Sequence, residues 1–381
     1  SGLASATGRP PVHTRTASFS MNLLFVSESR HWSGGVNQIL LTGAELRRRG
    51  HRVVVAGRAG SVLLGTARER GLHVIPLALR QDYDLTSAIR LRRIRSEVPA
   101  DIVHAHHPKA HAVAVAAAHL GRFPLVVTRR VVSPISGNPF SRWKYRSARI
   151  TSYVAVCRAA KAALVAVGVA RDRVDVVPSA VEVGRYAESW RRRQALSAGP
   201  PVRVGLVGNS AGRRGHDVML DAAPRILERY PDTRFVFVGR GTESLRALAE
   251  ARGISSSIDL LGERPDVPDL LAGFHLFVMP SMEEGIATAL IEAQCTGVPS
   301  VGSNTGGIPD VIADDETGIL VPPGNSGRLA DAVLGLLGDP ARAASLAARG
   351  RERVLREFSL EHVVDRLEAV YAVCLERRGH R

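Results

Sequence analysis

Two carboxylates with seven residues between them, Glu284 and Glu292, lie in the run Pro-Ser-Met-Glu-Glu-Gly-Ile-Ala-Thr-Ala-Leu-Ile-Glu at 280–292. An apolar strand is expected over 274–279 and a helix over 287–295, ended by Gly297, Val298 and Pro299. Glu284 then falls in the loop at the carboxyl edge of a sheet, and Glu292 inside the helix. A carboxylate among Ala289, Leu290, Ile291 and Ala293 needs a partner, since burying one alone is costly. A sugar hydroxyl would serve, and so would a salt bridge. Glu284 could contact the same ligand or simply face a helix N-terminus. Downstream, Asn304 to Asp310 (Asn-Thr-Gly-Gly-Ile-Pro-Asp) forms a second glycine-rich turn into the same crevice.

Two further turns could hold an anion. Ser33, Gly34, Gly35 and Val36 lie between a strand and a helix, where glycine lets backbone approach a ligand and the helix N-terminus favours negative charge. A tight turn alone would use the same residues. In the second half, Val-Gly-Asn-Ser-Ala-Gly-Arg-Arg-Gly-His-Asp at 207–217 brings Asn209, Arg213 and Arg214 to an equivalent junction. Arginine forks suit phosphate oxygens. The run is neither a Walker A loop nor a strict GxGxxG, and a solvated basic turn is the bland alternative.

The histidines His104, His106, His107 and His111, with Lys109, cluster at another strand end. No carboxylate or cysteine follows at ligand spacing, so no metal is expected. His106 and His107 read either as lining an acceptor pocket or as structural.

Short β-branched runs alternate with helical patterns along the whole chain. Strands are expected at 22–27, 52–56, 73–77, 101–104, 125–128, 153–156 and 175–177, then at 203–207, 234–238, 258–261 and 274–279. Their nearly continuous apolar character suits parallel sheets buried on both faces. Helices are expected at 36–49, 216–230, about 243–252, 287–295 and from 327 to about 378, with breaks near 338–340 and 358–359. This is βαβ winding in two α/β domains. At 381 residues the chain exceeds the ~250–300 residues at which a single core usually stops growing. The expected division is a flexible arm at 1–20, without the apolar stretch of a signal peptide, and a first domain at 21–190. A linker at 191–202, a second domain at 203–358 and a last helix at 359–381 crossing back to the first domain complete it.

With 45% hydrophobic and 23% charged residues, disorder and fibrous classes are excluded. Three separated cysteines fit a reducing cytoplasm rather than a disulfide framework. The formal charge of +15 is uneven: residues 1–190 hold 28 basic against 11 acidic residues, and the remainder 23 against 25. The basic runs 47–49, 90–95 and 142–146, interleaved with Ile94, Trp143 and Tyr145, suit an anionic bilayer at the inner face of the plasma membrane. A solvated arginine-biased face is the alternative. No nucleic acid is expected, because neither an RRM aromatic motif nor a helix-turn-helix is evident.

Taken together, Glu284 and Glu292, the flanking Pro280–Ser281, the helix end at 296–299, the 305–309 turn, Gly34–Gly35 and Arg214 to Asp217 resemble the E-x7-E motif and surroundings of retaining GT-B glycosyltransferases of the sucrose-synthase-like and mannosyltransferase-like family. The resemblance covers residues 21–378. It implies two Rossmann-like domains facing a cleft, a UDP- or GDP-sugar as co-substrate, no cofactor or metal, and a glycan or lipid-linked acceptor. Glu284, Arg214 and His106 take the catalytic places. Glu284 would contact the donor sugar and Glu292 the ribose, while Arg214, where relatives usually carry Lys, would face the diphosphate. Gly34, Gly35, Asn209, Arg213, Gly239, Arg264, Gly285, Ile286 and Ala287 complete the donor side. His106, His107, Lys109, Arg129 and Arg130 form the acceptor side.

The pattern departs at two places. Asn209 stands where relatives often have Arg, so one phosphate contact is missing unless Arg213 supplies it. Arg129 and Arg130 stand where many relatives have histidine; Arg130 cannot act as a base and is expected to grip an anionic group. These departures motivate the rival reading of a GT-B-like binding protein without catalysis. A basic nucleic-acid-binding protein is the more distant rival.

Overall fold

The computed structural model describes residues 20–81, 84–195, 201–210 and 213–379. The expected arm at 1–20 therefore lies outside the described residues except for Ser20, and so do Ala211 and Gly212 of the basic turn and His380 and Arg381 of the last helix.

The first unit winds β1 (Asn22–Ser27), α1 (Gly34–Arg48), β2 (Arg52–Gly57), α2 (Val62–Glu69), β3 (His73–Pro76), α3 (Leu85–Glu97), β4 (Ile102–Ala105) and α4 (Pro108–Gly121). It continues through β5 (Leu125–Arg129), α5 (Pro139–Arg146), β6 (Ser152–Ala155), α6 (Arg158–Ala166) and β7 (Val174–Val176), and ends in α7 (Ala187–Gln194). Its seven strands lie in the order β3-β2-β1-β4-β5-β6-β7. All are parallel, with Leu24 opposite both Val54 and Val103. Central strands such as β1 and β4 are buried along nearly their whole length, which is why their sequences are apolar without alternation.

The second unit runs β8 (Arg203–Val207), α8 (His216–Arg229), β9 (Arg234–Val238), α9 (Arg246–Ala251), β10 (Ile258–Leu260), α10 (Val267–Ala272) and β11 (Leu276–Met279). Next come α11 (Thr288–Cys295), β12 (Ser300–Ser303), α12 (Ile308–Val311), β13 (Ile319–Val321), α13 (Ser326–Gly338) and α14 (Pro340–Glu357). The sheet order is β10-β9-β8-β11-β12-β13, again parallel. Strands β12 and β13 are absent from the sequence expectations. Ser-Val-Gly-Ser has no β-branched run, and burial between neighbours holds it extended.

The last helix, α15 (Leu360–Gly379), packs against α1 and the first sheet. Val363, Val364, Leu367 and Tyr371 share a core with Leu23, Phe25 and Ile39. Arg49 pairs with Asp365 (2.6 Å) and Glu368 (2.7 Å) on it.

The segment 191–202 begins as helix rather than as open linker. α7 extends to Gln194 because Arg191 pairs with Glu188 one turn back (2.8 Å) and Trp190 is clamped under the Arg351 guanidinium, 4.4 Å from the ring centre. Residues 196–200 lie outside the described residues.

Candidate functional site

In each sheet the winding direction reverses between the first strand and its neighbour, β1/β4 and β8/β11. Open α/β sheets bind ligands in the crevice beyond the strand carboxyl ends at that switch point. The β1–α1 turn carries Gly34 and Gly35, β4 runs into His106 and His107, β8 into Asn209, and β11 into Pro280–Gly285. The chain thus delivers four candidate segments to two switch points.

The two crevices face each other and close to contact. A Cβ placed on Gly285 would lie 2.0 Å from the Arg130 carbonyl oxygen, so only glycine lets the Glu284 loop reach the end of β5. A Cβ on Gly34 would lie 3.7 Å from Thr288 Oγ1, which brings the N-termini of α1 and α11 together. Arg158 at the start of α6 spans the same gap: its backbone N–H donates to Asp310 Oδ2 (2.6 Å) and its guanidinium to the Pro309 carbonyl (3.1 Å).

Glu284 is buried and ion-paired with Arg214. Its loop is fixed by Gly307 N–H donating to the Glu284 carbonyl (3.0 Å) and by the Gly285 amide donating to its Oε1 (3.1 Å). Gly306 supplies a left-handed turn (φ 57°) there. Arg214 is positioned by Gly215, also left-handed (φ 73°), whose hypothetical Cβ would meet the Pro280 carbonyl at 1.9 Å. Desolvation lowers the Arg214 pKa. Arg213 is exposed and reaches Glu283 at 3.5 Å.

The remaining donor-side residues divide. Asn209 Oδ1 accepts from the Arg240 amide (3.1 Å) and ties the β8 and β9 loops. Gly239 N–H donates to the Gly262 carbonyl (2.7 Å), joining the next loop. Arg264 is engaged with Asp266 (2.6 Å). Ile286 and Ala287 are buried just before α11. Glu292 has the partner its setting demands, the Tyr186 hydroxyl, at the chain segment leading into α7. Burial raises its carboxyl to about 7, against the lowering influence of that hydrogen bond and of Arg185.

On the acceptor side His107 stands at the α1 N-terminus; a Cβ on Gly35 would be 2.9 Å from its Nε2. Ser27 (2.8 Å from Nδ1) and Ser29 (3.3 Å from Nε2) orient the ring, and burial with the nearby Arg130 charge lowers its pKa to about 4. His106 lies deeper. Its ring is 4.0 Å from His104, both nitrogens are buried without a hydrogen-bond partner, and it lines a cavity of about 20 Å³ with Gln38, Thr128, Arg130 and Leu367. His104 bridges Thr128 (2.6 Å) and Tyr371 of α15 (2.7 Å), and His111 bonds the Lys144 carbonyl (3.1 Å). Among the described residues no three His, Cys, Asp or Glu side chains converge as a metal site.

Arg129 is buried and bonded to Tyr145 (2.9 Å) and the Ser133 carbonyl, a structural setting. Lys109 bonds the Arg80 carbonyl (3.3 Å) at the start of α4. Arg130 differs: its Nε is buried without a partner, as that of Arg129 is, but no carboxylate or side-chain acceptor engages the rest of its guanidinium among the described residues, and burial lowers its pKa to about 10. The sequence reading missed Ser27, Ser29, Thr288 and Tyr186. Ser27 ends β1 and Ser29 follows it in a short polar run, which is a usable signal; Tyr186 is remote from Glu292 and left none.

Two doubly wound parallel sheets facing each other across glycine turns define the GT-B class. Residues 201–339 match the family model described as "Glycosyl transferases group 1", and residues 32–185 match "Glycosyltransferase Family 4". Each of the two units is thus similar to a glycosyltransferase family, and the fold they form together is GT-B. A glycosyltransferase from Rickettsia africae superposes with a TM-score of 0.81 at 20% identity, covering 93% of this chain and 98% of that one. Anabaena HepE, solved with UDP-glucose, gives 0.79 at 20% identity, covering 92% and 99%. By sequence, the phosphatidyl-myo-inositol mannosyltransferase of Mycobacterium leprae is 28% identical over 355 residues, 89% of this chain and 92% of that protein. The match to a GDP-mannose-dependent phosphatidylinositol monomannoside mannosyltransferase of Corynebacterium glutamicum, 28% over 207 residues, covers 50% of this chain and 54% of that protein. The chain spans about half the length of this and several other curated relatives it matches.

Proposed function

We propose that the chain is a retaining glycosyltransferase that moves a sugar from a nucleotide-diphosphate sugar to a glycan or lipid-linked acceptor without a metal ion. The observation that carries this is the Arg214–Glu284 pair, set where the N-termini of α1 and α11 converge. The two pair with each other in the free protein, where Glu284 Oε2 is buried without a hydrogen-bond partner, and a donor can engage both by other means. Its diphosphate takes Arg214 and the Gly34–Gly35 amides, and its sugar hydroxyls take Glu284.

In the reaction the bond from the anomeric carbon to the phosphate oxygen breaks and a bond to the acceptor oxygen forms on the same face. The acceptor proton passes to the leaving phosphate. Negative charge grows on the diphosphate, and fixed cations and amide dipoles stabilise it most at that point. That is the work a metal would otherwise do. Solved structures with UDP-glucose and a GDP-mannose-dependent relative support a nucleotide-sugar donor. Relatives named for inositol phosphate and lipopolysaccharide acceptors support a polar or lipid-linked acceptor. His107 and Arg130 occupy the acceptor side. No helix among the described residues is long and apolar enough to cross a membrane, and the basic first half would place the enzyme on the inner membrane face.

The test is turnover of UDP-, GDP- and ADP-sugars with EDTA present, alongside thermal shift by the free nucleotides. One nucleotide should raise the midpoint and its sugar should turn over with the anomeric configuration kept. Stabilisation without hydrolysis or transfer in any acceptor fraction would leave a binding protein instead.

A further inference from the structure

At the end of the first sheet away from the cleft, a pocket of about 460 Å³ opens between the amino ends of β5 and β6. Three arginines from separate elements line it: Arg122 capping α4, Arg149 in the turn before β6, and Arg377 on α15. We propose that this pocket binds a phosphate group, remote from the transfer site. The inference does not rest on the transferase reading.

Three observations point the same way. Arg122 and Arg149 have no carboxylate partner among the described residues, and nothing acidic lines the pocket. Arg377 donates to the carbonyls of Thr151 (3.4 Å) and Asp172 (2.9 Å), and the Asp172 carboxylate stands 3.9 Å off on the exposed rim. Arg122 and Arg149 thus share the pocket with Arg377 against a single exposed carboxylate, and an anion among the three relieves their mutual repulsion. Arg122 also adopts a left-handed backbone (φ 43°), one of only two non-glycine residues to do so among those described. Glycine or asparagine would fill that C-cap without strain, so an arginine there keeps charge at the expense of an easier turn.

The chemistry selects phosphate over a carboxylate or a duplex. Guanidinium groups that line one pocket from three elements suit a group with several charged oxygens, which a phosphate presents. Its lining is confined to three short segments around 122–124, 148–151 and Arg377, with no extended groove to track a nucleic-acid backbone. β5 has five residues, which puts roughly 16 Å between this pocket and the cleft end of that strand. A phosphate bound here cannot be the donor's. Exposed Leu120, two residues before Arg122, and exposed Trp143, stacked on His119, flank the site. The phosphate could thus come from a lipid headgroup or from a soluble phosphorylated molecule.

The experiment uses the full chain carrying Arg214→Ala, so that the cleft competes less, and every comparison is made in that background. Binding of inorganic pyrophosphate is measured by calorimetry at matched ionic strength, and binding of phosphatidylcholine vesicles with and without phosphatidic acid by sedimentation. Arg122→Gln/Arg149→Gln is compared with the parent, and Arg122→Gly serves as a second variant that suits the left-handed backbone. We expect at least tenfold weaker binding in both variants. Loss in the pyrophosphate arm identifies a soluble ligand; loss confined to the phosphatidic-acid arm identifies a headgroup. Parent and variants binding alike in both arms, or no binding by the parent in either, would overturn the proposal.

Discussion

Arg214 and Glu284 are joined as an ion pair although they arise from different strand–helix junctions, the β8–α8 turn and the β11–α11 loop. Glu284 is buried and Arg214 half-exposed, so the pair presents its cationic side to the cleft. Glu284→Gln keeps the shape and the Gly285 amide contact but removes the charge. Transfer should fall by roughly 10²–10³-fold, the scale for losing one aimed electrostatic contact, while the circular dichroism spectrum stays native. Unchanged turnover would remove Glu284 from the chemistry.

Arg214→Ala should weaken nucleotide diphosphate binding by roughly 1.5–3 kcal/mol, the usual worth of a hydrogen bond to a charged group. It also strands Glu284 as a buried carboxylate, so the free protein should lose stability as well. Arg214→Ala/Glu284→Gln separates the two effects. Stability should return in the double variant, whereas nucleotide affinity should not. A dissociation constant for UDP or GDP that none of these changes alters would contradict the phosphate role.

Much of this arrangement was legible in the residues, and the limits have physical causes. The strands at 22–27, 203–207 and 234–238 fall where their apolar runs place them, and the breaks between α13, α14 and α15 follow Gly338–Pro340 and Phe358–Ser359. Residue type and position relative to strand ends put Glu284, Arg214 and Gly34–Gly35 at the carboxyl edges of the two sheets, where the structure has them, because a doubly wound sheet presents its strand-to-helix turns along that edge. What stayed hidden depends on contacts between distant segments. Glu292 needs a partner that its own segment leaves open between a sugar hydroxyl and a salt bridge, and Tyr186 supplies a hydroxyl from a distant segment; Arg129 and Arg130, adjacent at one strand end, diverge, one to Tyr145 and the other toward Gly35. His106 and His107, adjacent in sequence, likewise separate to a buried cavity and to the α1 N-terminus.

Gly285→Ala tests the closure of the cleft. The added methyl would sit 2.0 Å from the Arg130 carbonyl, so one of the two loops must retreat. Both belong to rigid strand ends, and opening the cleft is the easier response. Activity should fall at least tenfold with little change in melting temperature, and small-angle scattering should show a larger radius of gyration. A compact, fully active variant would mean the contact is dispensable.

The buried histidines should make the first unit acid-labile. His104 and His111 are lowered to about 3 and His107 to about 4, chiefly by burial, and His106 is well below its ordinary 6.5. The folded state therefore resists protons that the unfolded chain accepts near 6.5. Their stabilisation is complete above pH 6.5 and is withdrawn as pH falls toward 3–4, each group by up to ~1.4 kcal/mol per pH unit. His111→Gln, which retains a donor for the Lys144 carbonyl, should lessen the slope of stability against pH by about one proton in that window. Parallel slopes for variant and wild type between pH 6 and 4 would refute the assignment.

Glu292 acts in the opposite sense. Its carboxyl, ordinarily near 4.5, is raised to about 7 by burial, so the folded state favours the protonated form. The site is most favourable below pH 4.5, loses stability as pH rises toward 7, and stays at that lower level above it. Glu292→Gln can still accept the Tyr186 hydroxyl but never ionises. It should raise the melting temperature at pH 8, by an amount equivalent to up to about 3 kcal/mol, and leave it nearly unchanged at pH 4.5. If the same carboxylate also meets the donor ribose, nucleotide affinity should fall in the variant even as the fold gains stability. Opposite signs for the two readouts would mark Glu292 as a group whose charge is retained for its ligand. Equal melting shifts at both pH values would show instead that the carboxyl is not displaced from its ordinary range.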